Sequence, residues 1–286
     1  MYRTGSAVLR TLPRGIAETL ASSTYAAVSK LSEDRRLLVA RNLQRVYGPD
    51  FTGPELERAI TRTFESYGAY WVDSFRLPKL SEAEIDFAFG YEGVEHIARS
   101  MARGQGTINV LPHLGGWEWA AFWLARIMQW QVTAVVEPLD PPELFDFFTE
   151  FRKSLGMHVV PLGPDAGKEV LRALRERHVL ALLSDRDIEG NGVEVEFFGE
   201  RTTLPAGPIT LALRTGAPVL PTTVYFDGKG HHGFVRPPLD LTRQGSLRED
   251  VARLTQVLAH ELEGLISQAP DQWHVFQPNW PSDHEA

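Results

Sequence analysis

The chain has 286 residues, 43% apolar and 23% charged, a net charge of −8 and no cysteine. That supplies a packed core, argues against general nucleic-acid binding, and excludes a disulfide framework, a thiolate nucleophile and a Cys-based zinc site. No apolar run approaches the ~20 residues of a membrane-crossing helix, and the N-terminus lacks a signal-peptide pattern, so a cytosolic location is expected.

The first 80 residues read as helices. "SAVLRTLPRGIAETLASSTYAAVSKLS" mixes apolar and basic residues at helical spacing, broken near Pro13 and Gly15. "SEDRRLLVARNLQRVYG" follows, with Ser32 as N-cap and Gly48 as stop. "TGPELERAITRTFESYGAYWVDSFRL" is a third helix, whose Phe64, Tyr67, Tyr70 and Trp71 share a face suited to the core. Residues 1–47 hold eight Lys/Arg and three Asp/Glu, a local +5 that leaves −13 on the remainder. A basic segment on an acidic body suits an anionic surface, and equally a solvated helix face.

From residue 90 strands and helices alternate: "GTINVLP" then "WEWAAFWLARIM", "QVTAVVEP" then "PPELFDFFTEFRKSLG", "MHVVPL" then "GKEVLRALRERH". "VLALLSD" is a strand, "GPITLALRTG" a helix before the strand "APVLPTTVYF". "HHGFVRPPLDL" is a further strand, and "SLREDVARLTQVLAHELEGLISQAP" closes the series as a long helix. This pattern predicts an α/β fold with a mostly parallel central sheet flanked by helices. No repeat or linker interrupts it, so residues 1–286 are expected to form one domain, with 1–80 as an N-terminal helical layer and 90–286 as the α/β core.

In such sheets ligands lie beyond the carboxyl ends of the strands. His113 ends the first strand of this series, Glu137 the second, and Asp185, Arg186 and Asp187 the fourth, so these side chains are expected to converge on one crevice. In "HLGGWE" (113–118) the glycines permit a tight turn, and Glu118 could reach back to the His113 imidazole. A carboxylate on one ring nitrogen fixes the tautomer and leaves the other free to take a hydroxyl proton. On the pair alone, a helix cap and ordinary first-turn electrostatics are equally open readings. No G-x-S-x-G elbow, HExxH zinc motif, G-x-G-x-x-G fingerprint or Walker A sequence is present.

"HLGGWE" resembles the motif of glycerolipid-type acyltransferases, a histidine followed after four residues by Asp or Glu. The surroundings resemble the branch that holds the late acyltransferases of lipid A biosynthesis and the actinobacterial phosphatidylinositol mannoside acyltransferases. "ARNLQRVYG" (40–48), "EP" (137–138), "FFTEFRKSLGM" (147–157), "SDRD" (184–187), "VEFFGERTTLPAGP" (195–208), "ALRTGAPVLP" (212–221) and "APDQWHVFQPNW" (269–280) match in order. The likeness covers most of the chain beyond residue 35. It implies a glycerol-3-phosphate-acyltransferase-like fold and an acyl-CoA-dependent O-acyltransferase, with His113 as catalytic base and Glu118 as its acid partner. Arg152 would face phosphate or thioester in the groove, and Glu137, Asp185 and Asp187 would bind acceptor hydroxyls. Arg186 would pair with the two acids beside it. Trp117, Trp119, Phe122 and Trp123 offer a wall for an acyl tail, although packing of the helix on the sheet accounts for most of them.

The resemblance further implies a palmitoyl-like donor, a mannose hydroxyl of a phosphatidylinositol mannoside as acceptor, and a peripheral place on the cytoplasmic face of the membrane. The expected partners are acyl-CoA, the glycolipid and an anionic lipid surface, with no metal, cofactor or nucleic acid; the sequence points to no particular protein partner. A lipid A-like or lysophospholipid acceptor, acyl-carrier protein as donor, and a non-catalytic lipid-binding relative are the alternatives.

Overall fold

A computed structural model describes residues 24–25, 32–137, 142–228 and 230–284. The break at Pro13 and Gly15 and most of the basic N-terminal segment lie outside these residues.

Helix α1 (Glu33–Tyr47) begins after Ser32, whose side chain makes no capping bond; Glu33 and Asp34 place negative charge in its first turn instead. Helix α2 (Gly53–Arg76) has Pro54 in its first turn and buries Phe64 and Tyr70. Helix α3 (Glu82–Phe87) carries a complete capping box between Ser81 and Glu84. Then follow β1 (Phe89–Glu92), α4 (Val94–Ala102), β2 (Thr107–Leu111), α5 (Trp117–Arg126) and β3 (Val132–Val136). Next come α6 (Pro142–Ser154), β4 (Met157–Pro161), α7 (Ala166–Arg175), β5 (Val179–Leu183), β6 (Val193–Phe197) and β7 (Glu200–Leu204). The chain continues through α8 (Gly207–Thr215), β8 (Val219–Asp227), β9 (Gly230–Val235) and α9 (Leu247–Ile266), the last with a second capping box, Ser246 and Glu249.

The main sheet has seven strands in the order β1-β9-β8-β2-β5-β3-β4. From β8 to β4 neighbouring strands are parallel; β9 runs antiparallel to β8 and parallel to β1. The mostly parallel α/β arrangement expected from the alternating pattern is thus observed. Strand periodicity divides the core in two. On one face Ile108, Val110, Leu180 and Val219 meet Leu174 of α7, Ile209 of α8 and Leu254, Leu258 and Leu262 of α9. On the other, Leu111, Val179 and Leu220 meet an aromatic layer from α2, α5 and α6 that includes Tyr70, Phe75, Trp123, Phe148 and Phe151.

Three features were not anticipated: α3, the edge strand β1, and the separate hairpin of β6 and β7. The hairpin turns on Phe198 and Gly199, both at positive φ (53° and 74°), the geometry that matches the twist of two paired strands. Phe198 is not a residue type that announces such a turn.

Candidate active site

Strands β2 and β5 are parallel neighbours with Leu111 opposite Leu183. Extending that register by two residues places His113 opposite Asp185, and the side chains meet. His113 Nδ1 lies 2.6 Å from Asp185 Oδ1, and the His113 backbone N–H donates to Asp185 Oδ2 at 2.9 Å. Trp273 Nε1–H donates to the same Oδ2 at 2.7 Å. Burial alone would raise the Asp185 carboxyl, but His113 and these donors hold it below the usual carboxylate range. An ionised carboxylate only accepts, so Nδ1 carries a proton, and in the neutral imidazole Nε2 is the nitrogen with the free lone pair. The His113 side chain is 27% exposed while that of Asp185 is fully buried, so of the pair only the imidazole reaches the surface.

The partner expected for His113 was Glu118, and that expectation is corrected. Glu118 accepts from Tyr70 Oη–H at 2.6 Å and from Arg152 at 3.0 Å. It lies in the first turn of α5 and is 1% exposed, inside the aromatic layer. Burial outweighs Arg152 and Tyr70 and raises its pKa, and burial together with Glu118 raises Tyr70 well above its ordinary value. Arg152, expected to face phosphate or thioester, is committed to Glu118 and lies over the Trp117 ring, 5.0 Å from its centroid. The group ties α2, α5 and α6 together. Glu118→Gln is therefore expected to lower stability by about 1–3 kcal/mol, by weakening a charge-assisted bond in the interior, while leaving transfer largely intact. Thermal melts and initial rates on that variant check both halves.

The remaining acids also differ from expectation. Asp185, assigned to the acceptor side, is the imidazole partner. Asp187 spends its carboxylate on its own loop, accepting from the N–H groups of Gly190 (3.1 Å) and Gly192 (2.8 Å) and from Thr203 Oγ1 (2.8 Å). Arg186 pairs with neither adjacent acid; it donates to Glu137 at 3.3 Å and to Gln277. Glu137 follows β3, the other neighbour of β5, and its side chain is 39% exposed. Its carboxylate is thus partly exposed and paired with Arg186. The tryptophans of α5 serve packing: Trp119 Nε1–H bonds Ile85 O at 3.3 Å and Trp123 Nε1–H bonds Asp86 Oδ1 at 2.8 Å, with both rings buried.

The C-terminal segment builds the back of the site, a contribution the sequence did not disclose. Leu114 forms an isolated bridge with Trp273, the Gly115 N–H donates to Gln272 O (3.0 Å), and the His274 N–H donates to His113 O (2.7 Å). Asn279 Nδ2 bonds the Asp185 carbonyl at 2.9 Å. His274 itself is enclosed beside Tyr67 and Tyr70, with Ser66 Oγ 2.9 Å from its Nε2. Burial, followed by the proximity of His113, pushes its pKa down to about 3, so it stays neutral at physiological pH. Gly115, at φ +59°, could not bear a side chain: its Cβ would lie 1.8 Å from Val224 O. Among the described residues no cluster of three or more His, Asp and Glu is arranged to hold a metal ion.

A partly exposed histidine at a strand end, tautomer-fixed by a buried carboxylate, has the geometry of a general base able to take a proton from a hydroxyl. Residues 1–282 match the family model described as bacterial lipid A biosynthesis acyltransferase, and the chain belongs to that family of acyltransferases. It is 39% identical over 251 residues to a phosphatidylinositol mannoside acyltransferase of Mycobacterium tuberculosis, covering 85% of this chain and 76% of the relative. A protein of the same name from Mycolicibacterium smegmatis is 36% identical over 289 residues, covering 99% and 91%.

Proposed function

We propose that this acyltransferase moves a palmitoyl-like acyl group from acyl-CoA to a mannose hydroxyl of a phosphatidylinositol mannoside. The His113–Asp185 pair carries the reading. His113 Nε2 takes the hydroxyl proton as the oxygen attacks the thioester carbonyl, and Asp185 stabilises the resulting imidazolium. The tetrahedral intermediate then expels the CoA sulfur, which receives that proton; one ester bond forms and one thioester bond breaks. Amides at the start of α5 suit the developing oxyanion. Glu137, partly exposed, suits a sugar hydroxyl, which donates to a carboxylate.

The names of the two mycobacterial relatives favour the mannoside acceptor, whereas the family description leaves a lipid A-like acceptor and an acyl-carrier-protein donor as the competing reading. Products are analysed by mass spectrometry after incubation with palmitoyl-CoA or palmitoyl-acyl-carrier protein and, in turn, a phosphatidylinositol mannoside, a lipid A precursor and a lysophospholipid. The proposal expects a mannoside one palmitoyl group heavier, formed from the CoA donor. Acylation confined to another acceptor, or to the carrier-protein donor, refutes it.

We further propose a peripheral position on the cytoplasmic face of the membrane. No helix among the described residues is long and apolar enough to cross a bilayer, and the chain's first 47 residues are basic. Each Lys or Arg at an anionic surface contributes about 1 kcal/mol, an attraction that salt weakens. Co-sedimentation with phosphatidylserine-containing vesicles is expected to fall when Arg10, Arg14 and Lys30 are changed to Glu, and when salt is raised. Binding indifferent to both counts against this docking mode.

A further inference from the structure

A second histidine stands behind the turn that carries His113, outside the chemistry described above. His231, near the start of β9, is 2% exposed. Its Nε2 lies 3.2 Å from Asp73 Oδ2 on α2, within ion-pair distance, although neither ring nitrogen makes an aligned hydrogen bond. The ring is held between Trp119, with centroids 4.3 Å apart, and Phe226, 5.0 Å apart. Its other nitrogen faces the backbone of Gly116: a Cβ added there would stand 2.4 Å from His231 Nδ1. An apolar ring would fill the same slot between Trp119 and Phe226 without burying two polar nitrogens, so packing alone gives no reason for an imidazole.

Gly116 is the residue immediately before α5. Its N–H donates to Val224 O at 3.2 Å, the Gly115 N–H is fixed on Gln272 O, and His231 closes the remaining side. These contacts bound the turn against Val224, Gln272 and His231, between His113 and the first residues of α5.

We propose that His231, oriented by Asp73, is a positioning residue for acyl transfer: its ring abuts Gly116 and fixes the level of the 113–117 turn. This rests on the acyl-transfer reading, and it acts through the backbone, with no contact between His231 and the reacting atoms. Displacement of a catalytic group by about 1 Å costs on the order of a hundredfold in rate. A positioning defect therefore shows in kcat, whereas loss of packing alone shows in stability.

The test compares His231→Leu, His231→Gln, His231→Ala, Gly116→Ala and the double variant Gly116→Ala/His231→Ala. For each, kcat per folded molecule, KM for palmitoyl-CoA, melting temperature and amide hydrogen exchange over residues 113–119 of the ligand-free protein are measured. His231→Leu is expected to lower kcat by about 10- to 100-fold with little change in KM, and to speed exchange across the turn. His231→Gln, which keeps a planar polar group between Asp73 and Gly116, is expected to restore most of the rate and the protection. Gly116→Ala is expected to lose activity through its collision with the ring, and to add no further loss in a His231→Ala background, where the ring is gone.

Wild-type kcat in folded His231→Leu overturns the proposal, as does a Gly116→Ala defect of the same size with and without His231. Unchanged exchange across the turn in His231→Leu overturns it too. Absence of any acyl transfer by the unaltered protein would refute the functional reading instead, and the exchange measurements would still decide the positioning claim.

Discussion

His113→Ala is expected to lower acyl transfer by about 10²–10⁴-fold or more, the range for losing a general base, in a protein that still folds. The folding half of this expectation follows from what the truncation leaves behind. Asp185 is fully buried, and an unpartnered carboxylate there would be costly. It nevertheless keeps the backbone N–H of residue 113 and the Trp273 indole N–H. The imidazole is partly exposed, so its removal opens little interior space. Rate and melting temperature measured on the same preparation check the expectation. A folded variant with near-normal turnover would remove His113 from the chemistry.

Asp185→Asn is expected to cost on the order of 10³- to 10⁴-fold, as loss of tautomer control does in the Ser-His-Asp triad. The hydrogen bonds dictate how the amide must sit. Oδ2 of Asp185 receives two donors, the His113 backbone N–H and Trp273 Nε1–H. Only an oxygen can accept both, so the amide oxygen takes that place and the NH₂ group takes the place of Oδ1, facing His113 Nδ1. Nδ1 must then accept, which moves the ring proton to Nε2 and removes the lone pair needed for the acceptor hydroxyl. The bonding geometry survives while the base is in the wrong tautomer. Initial rates with a phosphatidylinositol mannoside acceptor, alongside a thermal melt, read the effect; wild-type turnover would mean that Asp185 only supports the backbone.

Much of this site could be read from the sequence, and the errors have a common physical source. Apolar strands alternating with helices placed His113, Glu137 and the 185–187 run at strand ends, and the parallel sheet puts those ends on one side. What the sequence could not show was lateral order. β2 lies next to β5, although two strands intervene in the chain, so the carboxylate opposite His113 comes from residue 185. Glu118 was favoured because it is close in sequence, yet as a first-turn helix residue it points into the aromatic layer, toward Tyr70 and Arg152. Asp187 and Arg186 were read as free or mutually paired because their partners, the 190–192 backbone, Thr203, Glu137 and Gln277, are set by loops that carry no periodic signal. The bridge between Leu114 and Trp273 likewise joins segments far apart in the chain. The dense run of Trp, His and Asn in "DQWHVFQPNW" was the available hint that this end does more than finish a helix.

The most direct measurement of the central claim is the acyl-transfer rate of Asp185→Asn set beside that of Glu118→Gln, under saturating palmitoyl-CoA and mannoside acceptor. Both substitutions remove one buried carboxylate and keep its shape. If Asp185 holds the base in its working tautomer and Glu118 ties helices together, Asp185→Asn should be at least about a hundredfold slower than Glu118→Gln. Equal rates, or a slower Glu118→Gln, would contradict the account and return the imidazole to the glutamate of its own motif.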